Sequence, residues 1–257
     1  MFKKLISIFI GWFKTDTKTT AKSDQSEPQI KPAPFPIEVT QPEEIPHKEA
    51  AQPSNEAIKP FLNFPDISHY EPCDFNKFNG NDLLTKATEG KSMIDGTLKF
   101  NMEQCKKKGI RFGAYHFYKT DVDPIIQANH FIKTVGLDNL KDFYYEPIVD
   151  YETTKGQTEA DLKKAIPQLK LFIQEIYKQT GRWPMFYSYE SLLVYLELDS
   201  FFTNCRLWIA RYGKEPTKLA PWKEYWAWQF SDGEITNPKY PDSFPGIGRC
   251  DTNIFKQ

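Results

Sequence analysis

Three otherwise apolar runs in this 257-residue chain carry carboxylates in their interiors or at their ends. Asp66 lies in Phe-Pro-Asp-Ile-Ser, Asp150 and Glu152 in Pro-Ile-Val-Asp-Tyr-Glu, and Asp251 in Cys-Asp-Thr-Asn-Ile-Phe. Residues two apart on a strand share a face and stand about 6.6 Å apart along it, so Asp150 and Glu152 point the same way. Carboxyls crowded into one pocket resist joint ionisation. A neighbouring anion and partial burial each raise a carboxyl pKa, which yields a general acid usable near neutrality. An acid that protonates a leaving oxygen beside a second carboxylate is the equipment of glycosidic bond hydrolysis. The structural alternative pairs these acids with Lys86, Arg111, Lys119 or Arg211, or uses them as helix caps. It is the better account of any single acid and the poorer account of all four on strands meant for an interior. No His sits among the acids at a spacing that suits a metal, so no metal and no cofactor is expected.

Aromatic residues supply the second part of the pattern. Tyr70, Tyr115, Phe117, Tyr187, Tyr189, Trp208, Trp226 and Trp228 fall in or just after strand-like segments. The C–H faces of sugar rings stack on aromatic faces, so a glycan cleft needs such platforms. Most of these rings are nevertheless expected in the core, with a few lining a cleft. His69 and His116 are expected to be hydrogen-bonded structural residues. Glu89, in Lys-Ala-Thr-Glu-Gly, either orients a substrate or holds Lys86.

The elements that must position these residues alternate. Strand candidates are Phe64–Ser68, Leu83–Ala87, Arg111–Tyr118, Pro147–Glu152, Met185–Tyr189, Arg206–Tyr212, Tyr225–Ser231 and Cys250–Phe255, short and rich in aromatic or β-branched residues. Between them, a helix from Thr97 to Lys108 stops at Gly109. Asp123 and Pro124 open another that ends near Gly136. Thr158 and Asp161 form a variant capping box for a helix running to Gly181, within which Pro167 predicts a kink or a late true start. Eight strands with helices in the first five gaps predict an α/β fold, a closed parallel-type barrel. Gaps 213–224 and 232–249 lack a helical period, so the last three strands are expected to pair more simply, with room for antiparallel members. In such a barrel, function gathers at the strand ends and the loops that follow them. Strands one and eight become neighbours on closure, which brings Asp66 toward Asp251.

Residues 61–257 are read as this barrel domain. Residues 15–60 hold eight prolines among Thr, Lys, Glu and Gln with no hydrophobic period, the composition of a disordered linker. In residues 1–14, Lys3 and Lys4 precede the apolar run Leu5 to Phe13. That run is about 14 Å long as a helix, too short to span a bilayer. It reads as a signal-like segment, as a membrane-interface contact through residues 2–13 anchored by Phe9, Trp12 and Phe13, or as a frayed terminus. The formal charge of −1 provides no global basic field, so no nucleic-acid partner is expected. Cys73, Cys105, Cys205 and Cys250 are scattered, without CxxC, and are compatible with one or two disulfides or with packed thiols. A monomer is expected.

Taken in order, Asp66-Ile-Ser-His, Lys86-Ala-Thr-Glu-Gly90, Gly113-Ala-Tyr-His-Phe117, Pro147-Ile-Val-Asp-Tyr-Glu152, Phe186-Tyr-Ser188, Leu207-Trp-Ile-Ala210, Trp228-Gln229 and Asp251-Thr-Asn-Ile-Phe255 resemble the family 25 glycoside hydrolases, the Chalaropsis-type lysozymes. The resemblance covers nearly all of 64–255 and none of the tail. It implies a flattened TIM-like barrel, (β/α)5(β)3, and hydrolysis of the β-1,4 bond from N-acetylmuramic acid to N-acetylglucosamine in peptidoglycan glycan strands. It further implies Glu152 as general acid/base, Asp150 as the acid that steadies the substrate N-acetyl group, and Asp66 and Asp251 as the remaining acids of the cleft. Tyr115, Tyr187 and Trp228 resemble cleft-lining positions. Retention of anomeric configuration, with the substrate acetamide as nucleophile, is also implied. Tyr151 is bulkier than the family's usual residue there, so it is expected to face outward or sideways. Glu71-Pro-Cys73 departs from the usual Gln-rich loop. An exported or envelope-associated enzyme is the reading that follows. A catalytically silent glycan-binding barrel, a chitinase-like hydrolase and a phage-derived lytic enzyme are the alternatives.

Overall fold

A computed structural model gives the structure at residues 63–234, 240 and 242–256, all within a unit spanning Lys59–Gln257. The readings of segments 1–14 and 15–60, and the contact through residues 2–13, lie outside the described residues. The strands are β1 (Asn63–Ile67), β2 (Asp82–Glu89), β3 (Met93–Ile94), β4 (Arg111–Phe117), β5 (Ile148–Asp150), β6 (Met185–Tyr189), β7 (Leu207–Ala210), β8 (Ala227–Ser231), β9 (Ser243–Phe244), β10 (Gly248–Arg249) and β11 (Asp251–Phe255). The helices are α1 (Leu98–Lys108), α2 (Pro124–Val135), α3 (Leu137–Asp142), α4 (Glu159–Lys164), α5 (Ile166–Thr180) and α6 (Glu190–Leu196).

Eight strands close a barrel in the order β1-β11-β8-β7-β6-β5-β4-β2, and β2 pairs back onto β1. All neighbours are parallel except β11, which runs antiparallel to both β1 and β8. The expected antiparallel member among the last strands is thus β11. All eight predicted barrel strands are present. The expectation of a helix in each of the first five gaps needs one correction: between β1 and β2 there are only turns. That segment is Pro, Asn and Gly-rich, and the Asp74 side chain caps the Asn76 amide at 3.0 Å, favouring tight turns over a helix. The next four gaps carry α1 through α6.

Helix ends follow their chemistry. Gly109 takes a left-handed φ of 69° after α1. Asp123 accepts from the amides of Ile125 and Ile126 ahead of α2. Thr158 and Asp161 form the reciprocal capping box of α4, and α5 restarts at Ile166 with Pro167 in its first turn, where its missing N–H is harmless. Pro167 therefore marks a late start.

Alternation along the strands sorts the apolar residues into two layers. Outward-facing Ile67, Leu83, Phe112, Val149, Phe186, Ile209 and Phe230 pack with Phe131, Leu169, Phe172 and Ile176 of the helices. Inward-facing Phe64, Leu84, Ile148, Met185, Trp208 and Ala227 fill the barrel floor with Tyr145. Each fully buried Phe, Leu or Ile contributes about 1.5–3 kcal/mol. Tyr151 points outward as expected, its hydroxyl donating to the Leu162 carbonyl at 2.6 Å. The cysteines are free, with Cys105, Cys205 and Cys250 buried.

Candidate active site

Above the apolar floor the interior turns acidic. Asp66 and Asp251 are direct register partners on β1 and β11, and Asp150 sits opposite Tyr187 on β6. A cavity of about 60 Å3 at the carboxyl ends of the parallel strands is lined by Asp66, Asp150, Glu152, Asp251, Tyr115, Tyr187 and Trp208. All four predicted acids, and two of the three predicted aromatic positions, therefore meet in one pocket. The volume admits a small polar substituent and leaves a sugar ring above it.

Asp66 is held by two side-chain amides. Its Oδ2 accepts from Gln229 Nε2 at 2.9 Å and from Asn253 Nδ2 at 2.7 Å. Both amides are fixed in turn: Trp208 Nε1 donates to Asn253 Oδ1 at 2.7 Å, and the Tyr187 hydroxyl donates to Gln229 Oε1 at 2.8 Å. A buried network satisfied in this way rigidifies what it holds. Gln229 and Asn253 were not singled out from sequence, although an amide inside an apolar strand is itself a signal of an inward polar site.

Asp150 is held differently. Its Oδ1 is buried with no hydrogen-bond partner, which is costly for an ionised group. Burial first, then the charge of Glu152, pushes its carboxyl well above the usual range, against the pull of Lys86. Burial likewise raises Glu152, to about 7, opposed by Lys86 and assisted by Asp66 and Glu89. Tyr115 and Tyr187 are pushed far up, by burial and then respectively by Asp66 and by Tyr212, so both stay neutral hydroxyls. The arrangement can present a protonated carboxyl beside a hydrogen-bond acceptor in a pocket walled by phenols.

Trp228 corrects the sequence reading. It is 4% exposed and belongs to the outer layer, its indole donating to the Arg211 carbonyl at 2.7 Å and its ring packed on Phe230. Its neighbour Gln229 takes the inward position, and Trp208 supplies the pocket's indole. Glu89 lies beside the pocket and binds Lys86 at 2.7 Å and Lys119 at 3.8 Å. His69 and His116 are structural: His69 Nδ1 lies 2.7 Å from Asp95, and buried His116 lies between Thr88 and Gln127. A larger hollow of about 700 Å3 lies on the flank between α6 and residues 217–223. Its one carboxylate, Glu197, is bound to Lys163 at 2.5 Å, so the chemistry belongs to the small acidic pocket.

A closed barrel with acids gathered at its carboxyl-terminal mouth is an arrangement suited to carboxylate chemistry. The profile described as Glycosyl hydrolases family 25 matches residues 65–238, more than half of the sequence, and the chain belongs to that family. Uncharacterized protein YegX of Escherichia coli is 28% identical over 145 residues, covering 56% of this chain and 49% of its own length. An autolytic lysozyme of Clostridium acetobutylicum is 29% identical over 168 residues, 64% of this chain and 48% of that protein. The chain thus spans about half the length of the curated relatives it matches. The muramidase structure from Acremonium alcalophilum superposes with a TM-score of 0.61 at 25% identity, covering 76% of this chain and 94% of that one.

Proposed function

We propose that this chain is a peptidoglycan hydrolase, a muramidase that cleaves the β-1,4 bond between N-acetylmuramic acid and N-acetylglucosamine. The observation that carries this reading is the convergence of Asp66, Asp150, Glu152 and Asp251 on one pocket, with two of the carboxyls raised. Family membership, and the autolytic lysozyme and muramidase among its relatives, support the choice of substrate.

In this mechanism Glu152, protonated near neutrality, gives its proton to the leaving glycosidic oxygen. Asp150 meets the substrate acetamide: its unpartnered Oδ1 accepts the N–H, which favours the Asp150 carboxylate as that nitrogen gains positive charge. The acetamide oxygen attacks the anomeric carbon as the glycosidic bond breaks, and the resulting oxazolinium is opened by water that Glu152 deprotonates. Substrate assistance of this kind is a recognised route for glycosidases. Asp66, fixed by its two amides, and Tyr115 and Tyr187 orient the sugar. Residues 15–60 serve as a linker, and the enzyme acts as a monomer, exported or at the cell envelope.

The test is digestion of purified peptidoglycan by the whole chain beside Glu152→Gln, with products read by mass spectrometry. Wild type is expected to release fragments with new reducing-end N-acetylmuramic acid, and the variant to lose about 10²-fold or more of the rate. Activity on chitin oligomers alone would replace the muramidase by a chitinase-like hydrolase. A protein that binds the wall and releases nothing would be a glycan-binding barrel.

A further inference from the structure

Lys86 and Glu89 are three residues apart on β2, and in a regular strand they would face opposite sides of the sheet. They do not, because the pairing of β2 with β4 slips between Lys86 and Thr88. This bulge adds a residue. It leaves Thr88 facing outward, its hydroxyl 2.7 Å from His116 Nδ1, and puts Lys86 and Glu89 on one side with Nζ and Oε2 2.7 Å apart. Glu89 is pinned further by its register with Met93 of β3, and Gly90 continues the chain at a positive φ of 55°. The row across the mouth reads Glu89, Phe117, Asp150, since Phe117 is the register partner of both acids. The Lys86 ammonium lies 4.8 Å from the Phe117 ring centre, and that of Lys119 lies 6.0 Å from it. Lys119 also donates to Thr154, in the loop that follows Glu152.

We propose that Lys86 and Glu89 are a positioning pair for the reaction, in which Glu89 anchors Lys86 beside Phe117 and so limits how much positive charge reaches Asp150 and Glu152. The proposal rests on the muramidase reading for its consequence and on the bulge for its geometry. A buried cation turned fully onto the two carboxyls would hold both ionised and remove the proton that the leaving oxygen needs. With Glu89 alone and no cation, the pocket would hold its protons too strongly for Glu152 to act later as a base. The signs agree: of the nearby charges, Lys86 draws both carboxyls down and Glu89 pushes both up.

Other groups share the pocket with Asp150 and Glu152: Asp66 comes from β1, Asp251 from β11, Tyr115 from β4 and Tyr187 from β6. Tyr189 of β6 and Tyr212 beyond β7 also feel the charge of Glu152. The four phenols are all raised, chiefly by burial, and stay neutral over the working range. The two aspartates are common to every variant compared, so changes at 86 and 89 report the positioning pair itself.

The test is a pH titration of the whole chain carrying carboxyl-labelled glutamate, followed by NMR, with the Glu152 signal assigned by its loss in Glu152→Gln. Glu89→Gln is expected to move the Glu152 midpoint down by about one unit, and Lys86→Gln to move it up by a similar amount. The double variant, which removes both charges, is expected to return close to wild type. Lys119→Gln, at the outer end, keeps Lys86 and Glu89 intact and is expected to move the midpoint up by less. The alkaline limb of peptidoglycan hydrolysis should move with each midpoint. Shifts of one sign in both single variants, or stability losses with an unmoved midpoint, would make the pair a structural ion pair and overturn the proposal. The divergent shifts in a chain that releases no muropeptides would sustain the positioning pair and sink the muramidase.

Discussion

At Glu152 the same burial that would prepare the proposed general acid also weakens the fold, and the two effects share one pH window. An unfolded glutamate titrates near about 4.3, whereas the folded carboxyl is held up at about 7, by burial above all. The folded state therefore binds the proton more tightly. The stability linked to that proton is complete below the unfolded value and is lost as pH climbs through about 7. Glu152→Gln is neutral at every pH and escapes this loss. Its melting temperature is expected to exceed that of wild type by roughly 10 °C at pH 8, with the gap closing toward pH 4. Thermal melts across that range would check it, and a variant less stable than wild type at pH 8 would contradict the burial argument. If Glu152 is the proposed acid, hydrolysis should fall over the same interval. A rate that keeps rising well above pH 7 would mean that the leaving oxygen takes its proton from another group.

Among the elements, local chemistry was legible in the sequence and the choice of face was not. Strand positions, the Gly109 stop, the Asp123 cap and the Pro167 restart depend on residues close together in the chain, and each stands as read. Trp228 shows the limit. Parallel barrel strands are buried on both sides, so they read as continuous apolar runs and lose the alternation that would separate inside from outside. Either Trp228 or Gln229 could have faced the pocket on that evidence, and what decides it is the amide's partnership with Asp66, on a strand more than 160 residues away. The β2 bulge is hidden for the same reason, since it is fixed by pairing with β4. The turns between β1 and β2 were legible in their Pro, Asn and Gly content, and the expectation of a regular β/α repeat overrode that signal. A purely local element makes a contrasting prediction. Thr158 caps α4 downstream of Glu152 without lining the pocket. Thr158→Ala is expected to cost about 1 kcal/mol in denaturant unfolding while leaving the hydrolysis rate within about twofold. A large loss of rate would show that the cap also sets the loop carrying Glu152.

Across the whole barrel, stability and chemistry are assigned to opposite ends. The mouth holds four acids, Asp150 among them with an unpartnered buried oxygen, and such an arrangement costs folding free energy. The opposite end, where the parallel strands begin, holds an acid of another kind. Asp82, 1% exposed at the start of β2, takes both Nε and Nη2 of Arg111 at 2.6 Å and also accepts from the buried Tyr145 hydroxyl. Arg111 opens β4, and its guanidinium also lies 4.7 Å from the ring centre of Tyr144. One carboxylate thus ties β2, β4 and the approach to β5, with Tyr145 itself part of the apolar floor. Asp82→Ala would leave a guanidinium and a phenol without their acceptor. Breaking a buried charge pair in this way costs about 3–5 kcal/mol, or roughly 10 °C in melting temperature for a domain of this size. Because the apolar floor separates Asp82 from the pocket, kcat and KM on peptidoglycan measured well below the melting point are expected to stay within about twofold of wild type. The converse is expected at the mouth, where Glu152→Gln should lose about 10²-fold or more of the rate without losing stability near neutrality. If Asp82→Ala instead lost activity at temperatures where it remains folded, the floor would be transmitting strain to the acids, and the two ends could not be treated as independent.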